Sequence, residues 1–327
     1  MKLRNFLTSA ATVEFYREGR RTPGYRLFDF LHGYVYGRWL YLYLGIGTGE
    51  HRLAKVVAPL GKALARLRPA RNDHHNVEPG STRRPATFAD SYHGKVVPLE
   101  AAQQLVVINE PVQISLPEQV IPYPKARDII MKNPEHVVAL QCPCRSARLN
   151  PCLPLDVCLV VGDPFASFVE QHHPQRSRRI SQTEALEILR AEDARGHVHH
   201  AFFKDAMLGR FYAICNCCAC CYGAMHAHQH GTPMLASSGY VCVVDEALCL
   251  ACGDCQEFCQ FEAMSLGLYA SQVDYEKCMG CGVCVSKCLQ GALSLDRAPE
   301  KGEPLEIQKL MEMYTFSLPQ TLQDQVL

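Results

Sequence analysis

Residues 249–259 read CLACGDCQEFC, and residues 278–288 repeat the same cysteine spacing as CMGCGVCVSKC. In both stretches the pattern is Cys-x2-Cys-x2-Cys-x3-Cys, and the second begins 29 residues after the first. Three closely spaced cysteines with a fourth nearby suit an iron–sulfur cluster, which needs four thiolates around it. Zinc knuckles are the alternative, because Cys-x2-Cys also suits zinc, but zinc sites usually separate two cysteine pairs by a longer loop. The duplicated pattern therefore predicts two iron–sulfur sites in the C-terminal part of the chain.

The sequence around the two loops is repeated as well. Val243-Val244-Asp245 precedes the first loop as Val273-Asp274-Tyr275 precedes the second, and EAMSL at 262–266 parallels GALSL at 291–295. The segment from about residue 238 to 296 resembles the bacterial-type two-[4Fe-4S] ferredoxin domain, in which each half reads strand, cluster loop, short helix, strand. The resemblance implies that each loop gives three cysteines to its own cluster and its fourth to the other. The implied ligand sets are Cys249, Cys252, Cys255 and Cys288 for the first cluster, and Cys278, Cys281, Cys284 and Cys259 for the second.

Both loops depart from that family at one position. The family usually has Pro after the fourth cysteine, whereas Gln260 and Leu289 follow it here. That Pro shapes the turn and does not bind iron, so the departure bears on loop geometry and redox potential rather than on cluster binding. Gly253, Gly280 and Gly282 suit a backbone that must wrap closely around a cluster and present its amide N–H groups.

Composition indicates metal binding rather than disulfide bonding. The chain has 327 residues, enough for two or three packed domains, and its 18 cysteines far exceed ordinary use. A secreted disulfide protein would explain that number, but Glu14, Arg17 and Glu18 interrupt the apolar stretch near Met1, so no signal peptide is predicted. Clustered cysteines in a reducing compartment indicate metal. We therefore expect a cytoplasmic protein, with membrane association as a further option.

Charge is unevenly distributed although the net charge is zero. Residues 1–71 hold 13 Lys and Arg against 4 Asp and Glu, a balance of +9, and the rest of the chain carries −9. A basic arm on an acidic body predicts docking to an anionic surface or to an acidic partner. Nucleic acid is not an expected partner, because no nucleic-acid-binding motif accompanies the charge.

An aromatic segment, Leu27 to Ile46, lies within the basic region. Its apolar residues recur every three or four positions, which predicts one helix with an apolar face. The fully apolar run within it is far shorter than the ~20 residues needed to cross a bilayer. Two alternatives stay open: the helix docks on a membrane interface or a partner beside the nearby arginines, or it packs on this protein's own core. The residues of the predicted face are Leu27, Leu31, Val35, Trp39, Leu42 and Ile46, and the arginines are Arg17, Arg20, Arg21 and Arg26.

The predicted fold class is α+β. A C-terminal ferredoxin-like two-cluster domain is preceded by an α/β cysteine-rich domain and by a helical aromatic N-terminal segment. Residues 137–140 read as a buried strand, residues 181–184 as a capping box that opens a helix through Arg195, and residues 305–314 as an amphipathic helix. The predicted domains are a basic docking segment at 1–70, a linker at 71–93, the cysteine-rich domain at 94–238, the ferredoxin domain at 239–296 and a tail at 297–327.

Ten cysteines lie outside the ferredoxin loops. Cys242 is alone on a strand-like stretch, and we interpret it as a buried small hydrophobe. For the other nine, the strand end at Cys142 and the loop from Cys215 are expected to meet in space. We interpret these nine as an additional iron–sulfur centre, with structural zinc as the alternative. The candidate ligands are Cys142, Cys144, Cys152, Cys158, Cys215, Cys217, Cys218, Cys220 and Cys221.

This upstream part carries a second resemblance. The motifs CPCR at 142–145, DVCL at 156–159 and CNCCACC at 215–221 are similar to those of anaerobe iron–sulfur proteins in which such a domain precedes a two-cluster ferredoxin module. The resemblance covers roughly residues 120–295. It implies a redox function in anaerobic metabolism with a further metal centre.

Histidines form two groups that could ligate metal or relay protons. Such runs are usually solvated loops, and we predict that here. No Cys-x2-Cys-His motif occurs, which disfavours covalent c-type haem. The two groups are His197, His199 and His200, and His226, His228 and His230.

The sequence predicts an iron–sulfur electron-transfer protein or oxidoreductase subunit. It would pass single electrons through two [4Fe-4S] clusters and a third centre to a partner such as a flavoprotein, a catalytic oxidoreductase subunit or a membrane quinone complex, with membrane or membrane-subunit contact through residues 1–70. The alternative is a reductase whose upstream centre reduces a small substrate, with Arg145 binding an anion or His226 delivering a proton. No residue is assigned as catalytic, because no acid–base set accompanies the cysteines. A full set of cysteine ligands upstream would indicate a relay, and an open coordination position would indicate a catalyst.

Overall fold

The computed structural model describes residues 9–55, 92–123, 127–232 and 234–317. Within these ranges the protein is mixed α/β, with a curled sheet and a ferredoxin-type segment near the C-terminus. Most of the predicted linker lies outside the described residues. So do parts of the predicted docking segment and of the predicted tail, at residues 1–8, 56–70 and 318–327.

One eight-stranded sheet forms the centre of the molecule, and two small ribbons follow it. The sheet has the strand order β2-β3-β4-β7-β6-β1-β8, with β5 paired to β3. One ribbon joins β9 to β12 and the other joins β10 to β11. The strands are β1 Tyr92–Val97, β2 Val112–Ser115, β3 Asp128–Leu140, β4 Cys158–Asp163, β5 Ser177–Ile180, β6 Val198–Lys204, β7 Arg210–Cys217, β8 Leu235–Ala236, β9 Tyr240–Val244, β10 Met264–Leu266, β11 Ser271–Val273 and β12 Leu293–Arg297.

Helices cover both faces of the sheet. They are α1 Ala10–Arg21, α2 Leu27–Arg38, α3 Leu40–Gly47, α4 Leu99–Val106, α5 Pro143–Ser146, α6 Phe165–His172, α7 Gln182–Ala194, α8 Gly223–Gln229, α9 Asp254–Glu257, α10 Val283–Lys287 and α11 Ile307–Ser317. As predicted, α7 begins at a capping residue, where Ser181 Oγ accepts from the Glu184 N–H at 3.1 Å. None of the helices in the described ranges is long and apolar enough to span a bilayer.

The long strand β3 makes the sheet curl. Its residues 137–140 pair with β4 on one side and with β5 on the other. A register irregularity between Lys132 and Val137 bends the strand, so that its beginning pairs with β2 and also meets β7. As a result, the end of β3, the start of β4 and the end of β7 lie side by side at one edge of the sheet.

Alternation along the strands divides the core into two layers. On β3, Val138 and Leu140 face one layer, whereas Val137 and Ala139 face the other. The first layer contains α1–α3, α6, the upstream cysteines and the ferredoxin segment. The second layer contains α4, α7 and α11. Every upstream cysteine that belongs to a core layer belongs to the first one, so the strand alternation places these thiols on a single face.

The N-terminal helices are firmly part of the first layer. Glu18 of α1 is buried and pairs with Lys132 at 2.7 Å and Arg210 at 3.1 Å, both on the sheet. The Tyr25 hydroxyl donates to the Ala206 carbonyl at 2.8 Å, and the Tyr41 hydroxyl donates to the Gln141 carbonyl at 2.8 Å. These contacts fix α1–α3 on the sheet.

The prediction of one helix over Leu27–Ile46 is wrong in its continuity. The segment forms two helices, because Trp39 leaves the helical conformation at φ −118° and ψ 40°. Of the two alternatives for the apolar face, the structure favours the exposed one: Leu27 is 63% exposed and Leu31 50%. Glycines explain why the other face points inward, since a Cβ on Gly33 would lie 2.1 Å from the Ala206 carbonyl oxygen. The glycine face of α2 is therefore the one that packs against the turn after β6.

Candidate functional site

The two ferredoxin loops form two cavities, each lined by four of their cysteines. Cys288 of the second loop lines the first cavity, and Cys259 of the first loop lines the second. Each cavity is therefore lined by three cysteines of one loop and the fourth cysteine of the other. The first cavity is lined by Cys249, Cys252, Cys255 and Cys288, and the second by Cys259, Cys278, Cys281 and Cys284.

Glycines allow each loop to turn back on itself. Gly253 and Gly282 adopt φ of 89° and 83° immediately before α9 and α10, a conformation that favours glycine. Gly280 has φ 62°, and a Cβ there would lie 2.2 Å from the Tyr240 carbonyl oxygen. All three glycines thus adopt the left-handed conformation, and Gly280 also makes a close backbone approach, whereas a Cβ on Gly253 would meet no atom within 4 Å.

Backbone amides point at the cysteine sulfurs in both halves. The Ala263 N–H donates to Cys259 Sγ at 3.2 Å, and the Ala292 N–H donates to Cys288 Sγ at 3.3 Å. In the first loop, the hydrogen bond from the Ser271 backbone lowers the pKa of the Cys249 thiol. Such hydrogen bonds favour thiolates and tune the potential of a cluster. The chemistry of these two cavities fits an iron–sulfur cluster in each.

Four upstream cysteines form a compact group, called here the cysteine quartet: Cys152, Cys218, Cys220 and Cys221. Their sulfurs all lie within 4.8 Å of one another. The Sγ of Cys220 is 3.2 Å from that of Cys152 and 3.1 Å from that of Cys218. Four thiolates around one tetrahedral ion with metal–sulfur bonds of about 2.3 Å would lie about 3.8 Å apart. The quartet therefore has the dimensions of a site for a single tetrahedral ion.

The other five upstream cysteines form a second group, called here the buried thiol group: Cys142, Cys144, Cys158, Cys215 and Cys217. Cys142 interacts with the side chains of Cys144, Cys158 and Cys217, and Cys215 interacts with Cys158 and Cys217. These neighbouring thiols hold the pKa of Cys142 well below its usual range and lower that of Cys215 to about 6. The strand end at Cys142 and the loop from Cys215 do meet, as expected, but the nine cysteines lie in two groups.

A buried ion pair flanks the buried thiol group. Arg145, 1% exposed, pairs with Glu192 and donates to the Asn216 carbonyl at 2.9 Å. Burial alone would raise the pKa of Glu192, but His197 and Arg145 lower it. The Arg145 guanidinium also lies close enough to Cys142 and Cys217 for their charges to interact. Arg145, the candidate anion-binding residue of the alternative function, is thus enclosed and already paired.

The prediction of solvated loops is wrong for the first histidine group, whereas in the second group His226 and His230 are solvent-exposed but the segment is largely helical. His197, His199 and His200 are buried, and the last two are on β6, where His199 Nδ1 lies 2.6 Å from Asn216 Oδ1. The other group begins on the short helix α8, and the rings of His226 and His230 stack with centroids 4.2 Å apart. For the first group the prediction failed because β6 is buried on both faces, and local sequence patterning does not separate such a strand from a polar loop.

Gln260 connects the cysteine quartet to the ferredoxin loops. Its side-chain oxygen accepts from the Ala219 N–H at 2.8 Å, and Ala219 stands between Cys218 and Cys220 of the quartet. Its side-chain nitrogen donates to the Gly196 carbonyl at 3.0 Å. Because Gln260 directly follows Cys259, the contact joins the quartet loop to the residue after a cysteine of the second ferredoxin cavity. The sequence singled out this position as a departure from the family but did not reveal this contact.

Cys242 is buried, as predicted, and it also lines the second ferredoxin cavity. Its backbone N–H donates to Cys278 Sγ at 3.4 Å. From β9 it therefore supports the second loop.

Comparison with known proteins identifies the second loop. Residues 271–294 match the family model of the 4Fe-4S binding domain. No curated protein matches the chain, and no solved structure matches it. The protein contains an iron–sulfur, ferredoxin-type domain with at least one [4Fe-4S] cluster, and the matched residues hold the second loop with Cys278, Cys281, Cys284 and Cys288.

Proposed function

We propose that this protein is an iron–sulfur electron-transfer protein or subunit with two [4Fe-4S] clusters and a third iron–sulfur centre on the cysteine quartet. It would pass single electrons to a partner oxidoreductase, such as a flavoprotein or a catalytic subunit. Each cluster, when bound, supplies one-electron chemistry. The observation that carries the proposal is the hydrogen bond between Ala219 and Gln260, which joins the loop of the quartet to the residue after Cys259 of the second ferredoxin cavity.

The two clusters of the ferredoxin segment are proposed in the exchanged ligand sets. The cavity linings support this, because each contains three cysteines of one loop and the fourth of the other. Anoxic Cys255→Ala protein should lose the first cluster selectively. Cys259→Ala should damage the second cluster, although this cysteine lies in the first loop. Paramagnetic resonance spectra of the two variants distinguish the sets, and loss of the same signal in both would contradict the exchange.

For the third centre, we propose a single iron ion held by the quartet. The sulfur spacing supports one tetrahedral ion, and tetrahedral sites built from four cysteines take iron or zinc. Zinc is the alternative raised by the sequence, and it would make the quartet structural, because zinc has no redox chemistry. Metal analysis of the anoxic protein decides: about one zinc per chain, lost in Cys220→Ser, would contradict a relay through the quartet.

The function itself is tested by rapid-freeze spectroscopy. After mixing with a reductant that reaches the ferredoxin clusters, the iron of the quartet should become reduced within the same reaction. In Cys220→Ser the ferredoxin clusters should still accept electrons from dithionite, whereas transfer to a protein acceptor should slow by an order of magnitude or more. Unchanged transfer to the acceptor would remove the quartet from the pathway.

We also propose that the exposed face of α2 docks the protein on an anionic membrane surface. Leu27, Leu31 and Val35 are 63%, 50% and 42% exposed, and they lie one helical turn apart. Arginines Arg17 and Arg21 at the end of α1 have 65% and 69% exposed side chains. An apolar helix face together with exposed basic residues is the combination that binds a lipid interface. A redox partner protein that contacts the same face is the alternative outcome of a vesicle-binding test.

Substrate reduction at the upstream cysteines, the alternative function, is less well supported. It needs a metal with a coordination position open to substrate. The quartet supplies four thiols to one ion, and the buried thiol group has five thiols close together. Four or more thiols per site favour a metal whose coordination positions are all filled by cysteine, which suits an electron relay.

A further inference from the structure

The proposed function leaves the buried thiol group without a role. Its thiols come from the edge where β3, β4 and β7 lie side by side. Leu159 pairs with Ile214, which places Cys158 across from Cys215, and Leu140 pairs with Cys158, which places Cys142 just beyond the end of β3. Directly opposed residues on neighbouring antiparallel strands have Cβ atoms about 4.5–5.5 Å apart. The register alone therefore gathers these cysteines on one face.

The contacts within the group form a closed ring. Cys142 interacts with Cys158, Cys158 with Cys215, Cys215 with Cys217, and Cys217 with Cys142. Cys144 interacts with Cys142 from outside this ring. The ring is more widely spaced than the quartet. In the described residues, the quartet is the group whose ligand atoms all lie within 4.8 Å of one another. Four thiolates spread around a ring suit a multi-iron cluster, in which each sulfur binds a different iron.

The surroundings of the ring suit an anionic centre. Cys142, Cys158 and Cys217 are 1%, 5% and 3% exposed, so thiolates here would be removed from water. A buried charge is stable only when it is paired or hydrogen-bonded. The guanidinium of Arg145 supplies a positive charge beside Cys142 and Cys217, and the Arg145 N–H also donates to the carbonyl of Asn216, which lies between Cys215 and Cys217.

We infer that the ring of Cys142, Cys158, Cys215 and Cys217 holds a [4Fe-4S] cluster, with Cys144 beside it. This is a separate centre from the quartet, although the two meet at the peptide bond between Cys217 and Cys218. Adjacent cysteines face opposite directions at the end of a strand, so Cys217 serves the buried centre and Cys218 serves the quartet. The inference does not depend on electron transfer through the quartet.

Iron and inorganic sulfide analysis of the anoxic full-length protein tests the inference without any variant. Two ferredoxin clusters supply about eight irons and eight sulfides, and a single ion on the quartet adds no sulfide. A cluster on the ring raises the sulfide to about twelve per chain. Sulfide that saturates at about eight in fully reconstituted protein would overturn the inference.

Variants then locate the additional cluster. Cys158→Ala and Cys217→Ala should each lower iron and sulfide by about four per chain and retain the ferredoxin resonance signals. The matched control is Val160→Ala, a truncation on the same face of β4 that should keep all the sulfide. Loss of about one zinc instead of four irons would show that the ring binds zinc, and unchanged metal content would show that the ring binds none; either result overturns the inference. The quartet variant Cys220→Ser should leave sulfide unchanged, which separates failure of this inference from failure of the proposed relay.

Discussion

Gln260 shows how one side chain can join two parts of a protein. It stands where the ferredoxin family usually has Pro, and its amide group bonds both to the loop of the quartet and to Gly196, just after α7. Proline could make neither bond, because it has no side-chain amide. Gln260 was interpreted from the sequence as a change in loop geometry. In the structure it also connects the two loops by hydrogen bonds.

We predict that Gln260→Ala weakens this connection without removing a metal ligand. The substitution leaves the Ala219 N–H and the Gly196 carbonyl without their partner and should lower the free energy of unfolding by about 1 kcal/mol. Electron equilibration between the ferredoxin clusters and the quartet should become slower at unchanged metal content. The control is Leu289→Ala, the equivalent position after Cys288, whose side chain is 91% exposed. Equal rates in both variants would contradict a role for the contact.

A second prediction concerns pH and the pair of His136 and Asp163. The hydrogen bond with Asp163 at 3.1 Å raises the pKa of His136 although burial and Arg179 oppose it, and Glu170 adds a weaker attraction. Burial would raise the pKa of Asp163, but His136, Ser167 and Asn133 lower it.

A raised folded-state pKa means that protonated His136 stabilises the fold at pH values below its unfolded pKa of ~6.5. This contribution is lost as the pH rises through the folded pKa, and acid removes it when Asp163 becomes protonated. His136→Gln should therefore be less stable than the natural protein near pH 6 and differ least from it near pH 9. Guanidinium unfolding across this range is the measurement, and a stability difference that grows with pH would contradict the assignment.

Residue types and spacing were enough to predict ligand sets for the ferredoxin cysteines, because the pattern is local: one short loop carries three of the four cysteines that line each cavity. The division of the other nine cysteines could not be predicted in the same way. It depends on which way each side chain points at the end of β7 and on a loop that returns Cys152 from 66 residues upstream of Cys218. Neither property is encoded in a short window of sequence.

At the scale of elements, helix α2 shows that apolar periodicity does not determine which face is buried. Leu27, Leu31 and Val35 are its most regular apolar residues, and they face solvent, whereas Gly33 and Gly37 face the protein interior. Aromatic partners fill the space that these glycines leave: a Cβ on Gly37 would lie 2.8 Å from the ring of Phe168. Hydrophobic periodicity therefore predicted helical structure but left open which face is buried.

We predict that replacing Leu31 and Val35 together by Glu abolishes binding to vesicles that contain anionic lipid and preserves the fold. Both positions are exposed, so the change removes the apolar contact and adds repulsion from the lipid surface. Binding of the natural protein should also weaken with salt, because surface charges are screened over ~8 Å at physiological ionic strength.

Vesicle flotation is the measurement, with Leu268→Ser in the β10–β11 hairpin as the control, a leucine that is 91% exposed outside the proposed surface. Equal flotation of the Glu double variant and the Leu268→Ser control would contradict the membrane proposal. If the natural protein does not bind vesicles and the double substitution weakens its binding to a redox protein, the same face docks a protein partner instead.

At the scale of the whole molecule, the N-terminal helices belong to the protein core and do not form a separate arm. The basic charge of residues 1–71 predicted a separable docking arm. In the structure, Phe15 and Tyr36 are 1% and 3% exposed in the same core layer as the upstream cysteines, and the buried Glu18 pairs with two residues of the sheet. Charge distribution reports on surface properties and does not reveal which side chains fill a core.

Deletion of residues 1–70 should therefore do more than remove a docking surface. Each large apolar side chain that loses its burial removes about 1.5–3 kcal/mol, and the total stability of a typical domain is about 5–15 kcal/mol. The truncated protein should lose the sulfide of the buried thiol group and aggregate, whereas the exposed substitution Leu27→Ser should change neither. Metal analysis with size-exclusion chromatography is the measurement. A monomeric truncated protein with full metal content would show that the helices are dispensable.

The chain order of the quartet has a consequence for biosynthesis. Cys152 leaves the ribosome 66 residues before Cys218, and Cys220 and Cys221 follow it. Domains generally fold as units in the order in which they are synthesised. During that interval the early thiol cannot be ligated by its later partners, so a nascent chain carries free cysteines until β7 and the residues after it have emerged. A cell that makes this protein must keep those thiols reduced during translation and deliver metal after the sheet has closed.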